Sequence, residues 1–214
     1  MRGKCLLCQI DAELILFESE NFFIACDPYP LAVGHIMIIS KEHYSCSGEL
    51  PEQLIKQCSQ LANFVSNEIK HLFPSFRLIC YEHGRAGACL SVPDTLGLCH
   101  HMHLHLLPIS VNLEESLSKI FSRKHLINFL EIGKFFHGYG EYLYYKNSDD
   151  IPVFYPAEGV NVVPHLIRTL ISIELGKPEY ADWETYPSNN LLQLSKTIFK
   201  NIFTSNQLIE YDLF

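Results

Sequence analysis

The chain has 214 residues, enough to bury a full core as one large domain or as a domain with an extension. Its formal net charge of −8 is spread evenly, −4 in residues 1–112 and −4 in residues 113–214, so there is no basic face to receive a nucleic-acid backbone. No apolar run is long enough to span a bilayer, and the first four residues lead into a segment too short for a signal peptide's apolar region; we read the chain as soluble and cytoplasmic, without a membrane partner.

Near the start, Cys5-Leu6-Leu7-Cys8 puts two thiols within reach of one tetrahedral metal, although a redox pair or two idle thiols would read the same way. The other six cysteines follow no framework pattern and read mostly as small buried thiols. Residues 14–17 and 22–26 read as two strands joined by the polar turn Glu18-Ser19-Glu20-Asn21, and Asp27 before Pro28 reads as a turn cap. Residues 34–39 form a third strand. Over residues 51–73, Leu54, Cys58, Leu61, Val65, Ile69 and Leu72 recur at steps of three and four, which predicts a long core helix opened by Pro51 and stopped by Pro74. A fourth strand covers residues 76–81. The small-residue segment 85–98 then reads as a loop, a natural wall for a phosphate pocket.

The chemistry is concentrated in the next stretch, Cys99-His100-His101-Met102-His103-Leu104-His105-Leu106-Leu107-Pro108. Strict alternation predicts a fifth, half-buried strand with His101, His103 and His105 on one face and Met102, Leu104 and Leu106 on the other. Crowding three imidazoles together disfavours their protonated forms and leaves polar nitrogens needing partners, so a catalytic or ligating role explains the pattern better than packing does.

Beyond Asn112 the pattern changes. Residues 117–130 predict a helix closing near Gly133, residues 141–145 and 153–155 a hairpin, and Pro164 the start of a helix with Leu166, Ile167, Leu170, Ile171 and Ile173 on its apolar face; residues 191–203 predict a last helix. The expected fold is α+β. A five-stranded antiparallel sheet with a long helix occupies residues 1–112, and a mostly helical extension, with a short hairpin, occupies residues 113–214 and packs on it.

The run from His101 to Leu107 matches His-φ-His-φ-His-φ-φ, with φ apolar, at every position, and here the chain resembles the histidine triad superfamily. Upstream, Asp27, the turn Pro28-Tyr29-Pro30, Gly34-His35, an apolar strand and Lys41-Glu42-His43 resemble that family's second block. The resemblance implies a homodimeric nucleotide hydrolase or transferase that takes a purine nucleoside 5′-phosphate derivative, either a dinucleoside polyphosphate or a nucleoside phosphoramidate. It implies His103 as the nucleophile forming a nucleotidyl-histidine, His105 as a hydrogen-bond donor to the phosphoryl or leaving-group oxygen, and His101 as a stabiliser or a zinc ligand. Glutamine at the third position marks the family's transferases and phosphorylases, so His105 favours hydrolysis.

The resemblance further implies Asp27 at a ribose hydroxyl and Phe22, Phe23 or Ile24 at the base. It implies a structural zinc on Cys5, Cys8, His43 and His101, and no organic cofactor. Before the triad, Leu98 and His100 stand where the family carries serine and aspartate, so phosphate contacts fall to backbone N–H groups around Gly97, to Thr95 or elsewhere. Residues 113–214 resemble, through Val163, Pro164, Arg168, Trp183, Tyr186 and Pro187, an extension in a bacterial branch; there Arg168 could reach a phosphate, although it reads first as a helix-surface residue. Two other readings stay open: a nucleotide-binding protein with little turnover, and a metal-dependent hydrolase in which the histidine cluster ligates a catalytic ion.

Overall fold

The structure is a computed structural model and describes residues 5–87, 90–91, 98–148, 150–200 and 202–203. Three strands, β1 (Ile15–Glu18), β2 (Phe22–Cys26) and β3 (Ile36–Ser40), precede helix α1 (Glu52–Leu72) and strand β4 (Leu78–Gly84). A small separate pair, β5 (Leu90–Ser91) and β6 (Leu98–Cys99), leads to β7 (His103–Pro108). Then come α2 (Glu114–Ser118), β8 (Lys124–His125), α3 (Ile132–Tyr139), β9 (Tyr142–Asn147), β10 (Val153–Pro156), α4 (Leu166–Glu174) and α5 (Asn189–Phe199).

The main sheet has eight strands in the order β1-β2-β3-β7-β4-β9-β10-β8, and their pairings are antiparallel. This corrects the expected five. The order β1-β2-β3-β7-β4 would leave one side of β4 without partners, and β9 takes that side in register from Ile79↔Asn147 to Gly84↔Tyr142. Unpaired backbone groups on an apolar strand are costly, so the hairpin beyond residue 113 continues the sheet rather than standing apart.

A second correction concerns residues 117–130. The helix there is only α2; the chain then pairs Lys124 and His125 with Phe154 and Val153 on the outer side of β10, and Asn128 caps a short turn before α3. Ser118, Ser122 and Asn128 are poor helix-interior residues, and the available edge of β10 supplied a better outlet for the backbone hydrogen bonds.

Alternation sorts the side chains into two layers. Phe22, Ile24, Ile36, Ile38, Leu104, Leu106, Tyr142, Tyr144 and Phe154 pack under α1 with Leu61, Phe64 and Val65, while Phe199 and Phe203 close one end of this layer. The opposite face carries the histidines and is covered by two groups. Leu7, Ile10 and Leu14 of the N-terminal segment pack with Phe23, Ala25, Met37 and Ile39; Ile79, Leu107, Leu143, Tyr145 and Tyr155 pack beneath α2 and α4. The cleft between these groups holds the site.

Candidate functional site

Strand β7 pairs Ile39 with His103 and Met37 with His105 on one side and Tyr81 with His105 on the other, so these residues share the sheet face that the alternation predicts. The His103 Nδ1–H donates to the His101 carbonyl at 2.6 Å, which leaves Nε2 as an unprotonated lone pair. Burial, followed by the neighbouring His105, holds the His103 imidazole down to about 3, so it is neutral at pH 7.

His105 is stacked on Tyr81 at 4.4 Å between ring centroids and belongs to a buried relay. The Leu31 N–H points at His35 Nδ1 (3.4 Å), which assigns the His35 proton to Nε2; that nitrogen lies 3.0 Å from His105 Nδ1. His105 Nδ1 is then the acceptor and its Nε2 carries the proton. Asp27 Oδ2 lies 3.4 Å from both His35 Nε2 and His105 Nδ1, and Oδ1 accepts the Tyr29 N–H at 2.7 Å. Burial works to raise the Asp27 carboxyl, but His35, His105 and Arg168 outweigh it and hold it well below the usual carboxylate range. Burial likewise lowers His35 and His105, each to about 4, against the opposing pull of Asp27. The arrangement is an anionic carboxylate beside neutral imidazoles.

His101 departs from its two neighbours. It precedes the first residue of β7, is buried, and its Nε2–H donates to the Ser40 carbonyl at 2.7 Å, which turns Nδ1 toward the N-terminal cysteines. Cys5 Sγ and Cys8 Sγ each lie 3.4 Å from His101 Nδ1, and Cys8 Sγ lies 3.1 Å from His43 Nδ1. These four donor atoms lie within 4.8 Å of one another and could hold a metal ion. The spacing suits it: bonds of about 2.3 Å to sulfur and about 2.0 Å to nitrogen set tetrahedral donors roughly 3.3–3.8 Å apart. The Ser40 carbonyl plays the part of the outer-shell acceptor that fixes a ligating histidine.

The pocket in front of His103 and His105 is walled by Leu6 and Leu7, by Asp27, Pro28 and Tyr29, by Met37, Tyr81 and His83, and by His165, Arg168 and Trp183. His83 Nδ1 bonds the Ala86 carbonyl at 3.1 Å, its Nε2 faces the Ile167 N–H at 3.4 Å, and burial lowers it to about 3. Trp183 lies over Tyr29 with ring centroids 4.5 Å apart.

The structure thus brings together His103, His105 and Asp27, and separately Cys5, Cys8, His43 and His101. Phe22 and Ile24 point to the other face, into the core under α1, and do not line the pocket. Phe23 shares the histidine face but packs against the N-terminal segment. Thr95 and Gly97 lie outside the described residues. The sequence reading passed over His35 and His83 as site residues, although each lies two positions before or after a strand residue on the histidine face, a parity that would have found them. Tyr29, Trp183 and His165 carry no such signal, and Arg168 is buried rather than on the helix surface.

No family model matches this chain, and no curated protein does. Among solved structures it is similar to a hypothetical histidine triad nucleotide-binding protein from Sulfolobus tokodaii, at 23% identity and a TM-score of 0.39 over 50% of this chain and 70% of that one. It is also similar to a HIT family hydrolase from Clostridium thermocellum, at 22% identity and a TM-score of 0.31 over 52% of this chain and 94% of that one. A third likeness, to yeast Ap4A phosphorylase in complex with AMP, covers 83% of this chain and 78% of that one at 10% identity and a TM-score of 0.44.

Proposed function

We propose that this chain is a histidine triad enzyme that cleaves the α-phosphate bond of a nucleoside 5′-phosphate derivative through a nucleotidyl-histidine, with water as the final acceptor. The observation that carries the reading is the hydrogen-bond geometry of two adjacent imidazoles, His103 Nδ1 on the His101 carbonyl and His105 Nδ1 on His35 Nε2, which assigns them opposite tautomers: His103 offers a bare Nε2 and His105 an N–H. His103 Nε2 attacks phosphorus, the bond to the leaving group breaks, and the departing atom takes the His105 Nε2 proton. Water then attacks the phosphorus, the N–P bond breaks, and the water's proton returns to His105. Asp27 holds the relay and keeps spare carboxylate lone pairs for ribose hydroxyls. With Phe22 and Ile24 in the core, the apolar walls left for a base are Leu6, Leu7, Met37, Tyr29 and Trp183.

Zinc suits the two thiols and two imidazoles better than a hard cation does, and Cys5, Cys8, His43 and His101 would use it to hold the N-terminal segment against the ends of β3 and β7. A homodimer, which the resemblance implies, would use the outer edges of β1 or β8, because β9 covers the free side of β4. One observation favours a second reading: Asp27, His35 and His105 also keep one ligand atom each within 4.8 Å of one another, a set able to take a catalytic metal.

The test is release of nucleoside monophosphate from dinucleoside polyphosphates and nucleoside phosphoramidates, with His103→Ala and chelator-treated protein alongside. Release that is lost in the folded variant and survives chelation supports the triad reading. Release abolished by a chelator that leaves the fold intact supports the second, and nucleotide binding without release moves a binding role to first place.

A further inference from the structure

Arg168 is a buried cation with a part of its charge unanswered. Its side chain enters the pocket wall from α4 and is 7% exposed. Nε donates to the Tyr180 carbonyl at 3.0 Å and Nη1 to the Tyr29 carbonyl at 2.7 Å, so the guanidinium plane is pinned between the loop after Asp27 and the extension. Nη2 is buried with no hydrogen-bond partner among the described residues. Both bonds go to neutral oxygens. The carboxylate that feels its charge, Asp27, makes no hydrogen bond to it: Oδ1 accepts the Tyr29 N–H, and Oδ2 faces His35 and His105. A buried charge left in this condition is costly unless an anion completes it.

The rest of the wall makes the absence of other charge significant. Arg168 is the one lysine or arginine among the described residues lining the pocket. The remaining polar wall there is imidazole, phenol, indole and the Asp27 carboxylate, none of them a second fixed cation to set against several phosphate charges.

We infer that Arg168 Nη2 binds a phosphate of the leaving group, so that the preferred substrate is a nucleotide anhydride, such as a dinucleoside polyphosphate, rather than a phosphoramidate with an uncharged amine. The inference rests on the reading above. As His103 Nε2 bonds to the attacked phosphorus, the bridging P–O bond breaks and its electron pair stays on the leaving phosphate. The bridging oxygen takes the His105 Nε2 proton, and Arg168 meets the charge that remains with a hydrogen bond to a terminal oxygen of that phosphate. Arg168 is a binding group preset by its two carbonyl contacts, which the planar fork of arginine permits and lysine does not reproduce.

The experiment compares wild type, Arg168→Gln and Arg168→Lys on diadenosine tetraphosphate and on an adenosine phosphoramidate with an uncharged amine, with thermal unfolding as a check on folding. The expected result is a fall of at least tenfold in kcat/KM on the anhydride and a change of less than about threefold on the phosphoramidate, in whichever variant folds. Equal losses on both substrates, or none, overturn the inference, because a purely structural staple does not discriminate between leaving groups. Calorimetry with inorganic pyrophosphate gives a readout independent of turnover. If wild type cleaves neither substrate, the proposed function fails, yet pyrophosphate binding weakened at least tenfold by Arg168→Gln still supports the anion site; undiminished or absent pyrophosphate binding overturns it.

Discussion

At the scale of single residues, burial has set the protonation states in opposite directions on the two faces of the sheet. On the pocket face His35, His83 and His105 titrate near 4, 3 and 4, whereas an unfolded imidazole takes its proton near 6.5. Between those values the unfolded chain binds more protons, so the stability these groups contribute is complete above about pH 6.5 and is lost as pH falls toward 4. On the core face Glu82 behaves in the reverse sense. Its carboxylate accepts the Tyr142 O–H and the Ser47 N–H, each at 2.7 Å, but burial prevails and raises it to about 7. Its contribution is complete below the unfolded value of about 4.5 and is lost as pH rises through 7. Three imidazoles outweigh one carboxyl, so urea unfolding from pH 4 to 8 is expected to show stability that rises with pH and levels off near about pH 7.5, with Glu82 opposing the rise. In Glu82→Gln the opposing carboxyl is gone, so the rise should steepen, with a gain over wild type on the order of 3 kcal/mol at pH 8 relative to pH 4.5. A variant that follows the wild-type curve throughout would remove Glu82 from the account.

At the scale of elements, legibility followed periodicity. Helix α1 matched its prediction almost to the residue because its apolar repeat is long and its ends carry proline, and β7 was legible because alternating His and Leu admits no other regular structure. Segment 117–130 was misread because its apolar residues answer to two different partners: Leu117 and Phe121 pack in the layer above the histidine face, while Leu126 and Phe129 pack under α1. No local pattern records that change of face. The β4 to β9 pairing was invisible for a related reason, since an edge strand and an inner strand read alike until the neighbour is known. Its tightness can be measured through glycine. A Cβ at Gly84 would land on the ring of Tyr142, which is fully buried, stacked on Phe154 at 4.6 Å and bonded to Glu82. A Cβ at Gly138, in α3, meets nothing within 4 Å. The same substitution should therefore have opposite signs: Gly84→Ala destabilising by about 2–3 kcal/mol, and Gly138→Ala stabilising by roughly 0.5–1 kcal/mol, both read from denaturant midpoints. Equal effects at the two positions would show that β9 can give way.

At the scale of the whole molecule, the extension is joined to the triad half in three ways that the sequence, read segment by segment, could not disclose. It completes the sheet along β4, it roofs the histidine face with α2 and α4, and it places Arg168, His165 and Trp183 in the pocket. Even Gly34, in the turn before β3, donates its N–H to Ser195 Oγ in α5 across 161 residues of sequence. Residues 1–112 remain a natural unit by pattern, and the physical question is whether they are one by stability. Cut at residue 112, the chain would expose the whole outer side of β4, from Ile79 to Gly84, together with the apolar faces of Ile79, Tyr81 and Leu107, now roofed by the extension. A bare edge beside newly exposed apolar surface is a template for pairing with another copy. The expected outcome is that the 1–112 fragment runs as dimers or larger species in sedimentation and loses nucleotide binding. Supplying residues 113–214 as a separate chain should restore a one-to-one complex and part of the binding, because β9 and Arg168 then return to the positions they hold in the intact chain. A monomeric 1–112 fragment that binds nucleotide like the full chain would instead make the extension an addition to a finished site, and the role argued for Arg168 would fall with it.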